Sequence, residues 1–372
     1  MHWFSIFNSF MIVAFLAGLV AVIMIRTLKM DYLRYSRSIA DIGTAGNADD
    51  YGWKRVHGDV FRPCPYFSIY CVLFGTGAHI TATLFLCLFY IVLTPHYLGH
   101  DRVLLVVLIG YLLGFLVNGF CSGSAYKQAF FPRTSPHWRR VMLFSAGLLP
   151  CVGVAAYAGI MWLSVAVRSV SQFPWETVFS LLCLLLVVGL PLHVLGTLLG
   201  RTVFGNPHYP CRTSAIPSAI PASPFYSRHD VLCVVSGILP FGCVFIEVFF
   251  VFASIWSYKY YYMYGFLLAM TVILTIIEVC ESIVATYLLL NSENYHWRWA
   301  SFANGASLGV YLFLYCLYYY FRKTHMKGLL QTLSFFTEST LLVMVVSLFC
   351  GFISTLASEV FVKTIFRNIK VD

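Results

Sequence analysis

Nine apolar runs, each long enough to cross a bilayer, recur along this chain between short polar segments. They cover residues 3–24, 67–93, 103–121, 141–164, 177–200, 231–256, 262–290, 301–321 and 332–358. A helix needs about 20 mostly apolar residues to cross a hydrocarbon layer roughly 30 Å thick. Backbone polar groups inside lipid must be satisfied within the segment, which selects helices over open strands. The pattern therefore predicts an all-α fold, a polytopic membrane bundle of about nine transmembrane helices. Residues 1–372 read as one nine-span membrane domain, with 359–372 as a cytosolic tail.

Two polar segments stand out between the runs. Residues 25–66 begin with RTLKMDYLRYSR, which can carry the first helix beyond the membrane. A Gly/Asp-rich stretch follows, then WKRVHGDVFRPCP, whose Gly58, Pro63 and Pro65 predict turns before the second span. Residues 201–230 hold Pro207, Pro210, Pro217, Pro221 and Pro224. Proline has no amide hydrogen and fixes its own φ, so this loop is expected to be extended and non-helical. It reads as a stiff connector, with a partner-binding strip as the alternative. No internal repeat at a fixed period is evident.

Composition agrees with lipid as the main solvent. The 372 residues are 60% hydrophobic and 10% charged, where soluble domains carry about 25% charged residues. All 24 Lys and Arg fall outside the nine runs, and 18 of them lie in the alternate set of loops that includes the C-terminus. Positive loops stay in the cytosol, so the C-terminus is expected to be cytosolic and the N-terminus lumenal. The first run has no basic residue ahead of it and ends at Arg26 and Lys29, so it reads as a span and not as a cleaved leader. The net charge of +9 then belongs to helix ends beside an anionic leaflet, and no nucleic-acid partner is expected. The 12 cysteines include no CxxC pair and no zinc spacing, so they read as small packing residues.

Chemistry is concentrated in intramembrane carboxyls. Glu247 lies in the sixth run, and Glu278 and Glu281 lie in the seventh. A carboxyl at that depth is costly unless protonated, paired or wetted, and no Lys or Arg shares it. Glu278 and Glu281, three residues apart, are expected on one helix face. Glu247 and Glu278 are expected about 10 Å apart in depth on straight helices, too far for a shared two-carboxylate site. Glu338 lies nearer the lumenal end of the last run, and Glu359 at its cytosolic boundary. His79 and His193 fall inside spans and read as interhelical hydrogen-bond partners. His96 and His100 would meet a metal only on a helix. No GxSxG, P-loop, HExxH or paired intramembrane aspartates occur, so an enzyme is not expected, and no cofactor is implied.

Taken in order, the segments HWFSIFNS, GWKRVHGDVFRP, RTSAIPSAIP, ILPFGCVFIEVFF, YYMYGFLL, ENYHWRWASF, YLFLYCLYYYF and the final IKVD closely resemble the transmembrane nine superfamily, the nonaspanins. The resemblance runs over nearly the whole chain. It implies nine spans with a cytosolic C-terminus, in Golgi and endosomal membranes. The family's signal peptide and large lumenal domain would precede the point where this sequence starts, so a truncated form is expected. The resemblance also implies a role in the trafficking and membrane localisation of other membrane proteins. Cargo would be bound through transmembrane helices, some of it with glycine-rich spans. Lys370 and Asp372 match the family's C-terminal Lys-x-Asp/Glu signal, which coatomer-type coat proteins read during recycling. The alternative is a proton- or cation-coupled transporter that uses Glu247, Glu278 and Glu281.

Overall fold

The structure, a computed structural model, describes residues 3–41, 52–94, 99–130, 137–166, 175–203, 209–256, 263–324 and 328–367. The described residues hold helices and connecting segments, with no strand among them. The helices are α1 (Trp3–Asp41), α2 (Phe67–Leu93), α3 (His100–Phe130), α4 (Trp138–Ala166), α5 (Trp175–Leu184), α6 (Leu190–Val203), α7 (His229–Trp256), α8 (Met263–Asn291), α9 (Trp297–Ala306), α10 (Leu308–Lys323) and α11 (Leu329–Arg367). Among the described residues, nine helical stretches are long and apolar enough to cross a membrane. Two of the nine are composite. A π-helical turn, Leu185–Gly189, joins α5 to α6. Pro191 lies just beyond it, and its ring would crowd the carbonyl four residues back, at Val187, inside that turn. The eighth stretch breaks at Ser307 into α9 and α10. α1 continues well past its apolar run, to Asp41, and α11 continues to Arg367.

The chain divides into two compact units. One comprises residues 1–62, 209–305 and 353–372. In it α8 packs against α1 and α7. Much of α1 presents apolar side chains outward, with Phe7 63%, Phe15 69% and Val22 66% exposed. In a span this is the surface that lipid tails cover, and it needs no aqueous explanation.

The other unit comprises residues 63–208 and 306–352. In it α3 packs against α2, α4 and α6. Its closest approach is between α3 and α6. A Cβ at Gly196 would overlap the Leu116 carbonyl, and one at Gly200 would overlap the Phe120 carbonyl. Helices attract each other in lipid mainly by close packing, which small residues four apart permit. His193 sits in this seam. Its Nε2 lies 3.0 Å from Ser145 Oγ and its Nδ1 lies 3.2 Å from the Phe115 carbonyl. His79 packs between aromatic rings, 4.7 Å from Tyr111 and 4.8 Å from Phe115. Both histidines thus serve interhelical packing.

Candidate functional site: a lipid-level carboxyl and a clamped end cap

The intramembrane carboxyls are placed differently from one another. Glu247 is on α7, and its side chain lies outside the described residues. Glu278 and Glu281 are both on α8 but, about 60° apart around it, serve different surroundings. Glu281 lines a cavity of about 240 Å³ between α1, α7 and α8, with Val13, Ala17, Leu239, Ile277 and Cys280. Ser236 hydrogen-bonds its carboxyl. Its other oxygen, Oε2, is buried and has no hydrogen-bond partner among the described residues. Along α8, Glu281 lies about 27 Å from Met263 and about 15 Å from Asn291 at 1.5 Å per residue. A carboxyl with unmet hydrogen-bonding capacity therefore lies in the wall of an apolar cavity at mid-membrane depth.

Glu278 faces inward and is 1% exposed. Ser282 and Thr286 follow it at intervals of four on the same face. With Ser301 on α9 and Ser354 and Ser358 on α11, they form a buried hydroxyl network. Ser358 Oγ is its hub, 2.6 Å from Ser282, 2.7 Å from Thr286 and 2.7 Å from Ser301. Each hydroxyl has one hydrogen to give. Ser282 gives its hydrogen to the Ser354 carbonyl at 2.5 Å, so it accepts from Ser358. Thr286 and Ser301 must then both donate to Ser358. Ser354 donates to the Ser301 carbonyl at 2.8 Å, which leaves no hydrogen for the longer 3.3 Å contact between the Ser301 and Ser354 hydroxyls. Every hydrogen is assigned, and the chain of donors ends on a backbone carbonyl. This network joins three helices. It does not continue as a proton relay, because a carbonyl has no hydrogen to pass on.

The remaining acids are on α11. Glu338 is exposed and accepts from Ser334 at 3.0 Å. Glu359 pairs with Lys363 at 2.7 Å, one turn along the helix. Lys370, Asp372 and His96 lie outside the described residues. Among the described residues, no group of three or more His, Cys, Asp or Glu could hold a metal.

The densest polar construction is at one end of the first unit, where sequence reading placed only connectors. Asp59, 4% exposed, is its centre. Its Oδ1 accepts from Arg62 Nε at 3.0 Å, Arg62 Nη2 at 2.6 Å and Ser214 Oγ at 2.9 Å. Its Oδ2 accepts from the Ser218 amide at 3.0 Å and the Ser218 hydroxyl at 2.6 Å. Arg62 also reaches the Ser214 carbonyl at 2.8 Å, and the Ser214 amide donates to the Gly58 carbonyl at 2.7 Å. Burial alone would raise the Asp59 pKa. The Ser218, Arg62 and Ser214 donors outweigh it and hold the carboxyl at about 2. Residues 214–221 are the tetrapeptide SAIP twice over. Each copy supplies one serine to one carboxylate oxygen. That doublet was the signal available in the sequence, too short to register as a structural repeat.

Around this clamp the other connectors meet. Trp297, 1% exposed, donates to the Val60 carbonyl at 2.8 Å. Phe61 stacks on Tyr209 at 4.8 Å, and Phe366 meets Trp53 edge-on at 5.3 Å. Asp31, near the end of α1, accepts from Tyr287 at 2.7 Å and from Trp53 at 3.3 Å. Lys54, 8% exposed, donates to the Asp31 carbonyl at 3.0 Å. Segments from five places in the sequence thus close one end of the unit.

Nine lipid-length helical stretches among the described residues, with apolar side chains on their outward faces, make this a multi-span integral membrane protein. The endomembrane protein 70 family model matches residues 1–329. The chain belongs to this family of endomembrane proteins, and its curated relatives are transmembrane 9 superfamily members. It is 33% identical to transmembrane 9 superfamily member 1 of Bos taurus, over all of this chain and 61% of that protein. It is 34% identical to member 2 of Mus musculus and to member 10 of Arabidopsis thaliana, over all of this chain and 55% and 57% of those proteins. The chain thus spans little more than half the length of these relatives. No solved structure matches it.

Proposed function

We propose that this chain is a trafficking component of Golgi and endosomal membranes that binds transmembrane segments of other membrane proteins. The observation that supports this reading is Glu281, which lines the cavity between α1, α7 and α8 and whose buried Oε2 has no hydrogen-bond partner among the described residues. A polar atom at mid-membrane depth discriminates between passing helices, because a helix that offers it a hydrogen bond gains over one that offers only apolar contact. Lys370 and Asp372 act as the recycling signal for coat proteins, with the C-terminus in the cytosol and the N-terminus in the lumen. The chain acts without catalysis.

Two variants test the parts separately. Glu281→Leu fills the polar point with a side chain of similar size. It should reduce photo-crosslinking from α1 or α7 to cargo spans while the protein still reaches its membranes. Unchanged cargo crosslinking would refute the site. Lys370→Ser with Asp372→Ser should release the protein from Golgi membranes, and an unchanged distribution would remove the tail from the reading.

A proton- or cation-coupled transporter is the second reading, supported by the burial of Glu278 within α8. Loss of pH-driven flux in proteoliposomes on Glu278→Gln, with normal cargo delivery by the same variant, would favour it. The closed hydroxyl network beside Glu278 weighs against it.

A further inference from the structure

The loop after α6 carries more apolar surface than a connector needs. Between Tyr209 and Arg228, Ile216 is 82% exposed, Ile220 38%, Phe225 74% and Tyr226 65%. These four side chains lie within eleven residues of a segment that is not itself a span. Four large apolar side chains this exposed in one short segment call for a covering partner.

The segment is fastened at two points within the same unit, one in the end cap and one on a spanning helix. At one end, Ser214 and Ser218 are held by Asp59. At the other, the Ser227 hydroxyl donates to the Leu288 carbonyl at 2.8 Å, three residues before α8 ends at Asn291. α7 begins at His229, directly after the segment. Phe225 and Tyr226 are therefore held level with the ends of two membrane-spanning helices, the depth at which aromatic rings collect in membrane proteins. The charges nearby are mostly paired: Arg62 with Asp59, Lys363 with Glu359 beside the Tyr209 ring, and Arg228 with Asp230 at 3.3 Å, while Arg212 is exposed. The apolar groups, and not charge, set the preference.

We propose that residues 209–228 are an interfacial membrane anchor. Ile216, Ile220, Phe225 and Tyr226 sit in the headgroup and upper acyl layer of the protein's own bilayer, and the Asp59 clamp turns the isoleucines toward it. The occupant is lipid. The segment follows from span-end geometry, and it stands whether or not cargo binding at Glu281 holds.

The test uses the full chain in lipid nanodiscs, with a benzophenone amino acid placed at position 216 or at position 225. Mass spectrometry after irradiation should find phospholipid adducts at both. Asp59→Ala should lower the adduct yield at 216 to background and leave that at 225, which Ser227 holds separately. Ser218→Ala, a milder lesion, should give an intermediate loss at 216 if Asp59→Ala perturbs folding. Absence of phospholipid adducts at both positions would overturn the proposal. So would adducts at 216 that both clamp variants leave unchanged, or adducts in native membranes that are mainly to a water-soluble protein.

Discussion

Asp59→Asn is the sharpest perturbation of the end cap. Both carboxylate oxygens of Asp59 face only donors, three on Oδ1 and two on Oδ2. An amide has one oxygen and one NH₂. In one orientation its NH₂ meets the Ser218 amide, in the other it meets Arg62, and neither donor can turn into an acceptor. The variant loses charge-assisted bonds and leaves Arg62, whose side chain is 26% exposed, without its countercharge. Hydrogen bonds to a charged group contribute about 1.5–3 kcal/mol, partly recovered here by water around Arg62. The pKa, set by the same donors, gives a figure of the same size. A fall from 3.8 to about 2 corresponds to about 2 kcal/mol at neutral pH. The clamp should therefore open about thirtyfold more often. The Ser214 and Ser218 amides report this directly, because one bonds Gly58 and the other bonds Asp59. Hydrogen exchange by mass spectrometry in nanodiscs should show that acceleration in 209–224, with α3 and α6 unchanged. Equal exchange of the two serine amides in wild type and variant would refute the reasoning.

Three further outcomes follow from the same structure. The Asp59 contribution has a fixed sign with pH: the folded pKa lies below the unfolded one, so the stabilisation is complete above roughly pH 4 and is lost as pH falls toward about 2. Exchange at Ser218, corrected for its intrinsic rate, should be flat through mildly acidic pH and rise only in that window; an earlier rise would show that another group controls the clamp. Ser358→Ala removes the hub hydroxyl and strands the Thr286 and Ser301 hydrogens. It should cost about 1–3 kcal/mol, seen as a lower midpoint of thermal unfolding in detergent, and an unchanged midpoint would mean the network is incidental. Gly200→Leu drives a side chain into the Phe120 carbonyl. It should separate α3 from α6 and lower the detergent-resistant folded fraction far more than Gly153→Leu, where a Cβ meets nothing within 4 Å.

The fold class was legible because its cause is local. A run such as 67–93 excludes water by its own composition, and only a helix satisfies its backbone in lipid, so α2 (Phe67–Leu93) is written in one stretch of sequence. The inward carboxyls Glu278 and Glu281 were visible as candidates for the same reason. Their separation was not: one side chain is sealed into a bundle while the other lines a cavity, and that depends on which helices surround α8. The tertiary structure alone decided that HGDVFRP, the SAIP doublet and HWRW build one cap. Asp59 and Ser218 are 159 positions apart, and Trp297 and Val60 are 237 apart. No local propensity encodes such a pairing. It exists because the spans between these segments fold back and forth across the membrane, so that the polar ends of distant helices share one side. There a buried carboxylate takes whatever donors the chain brings to it.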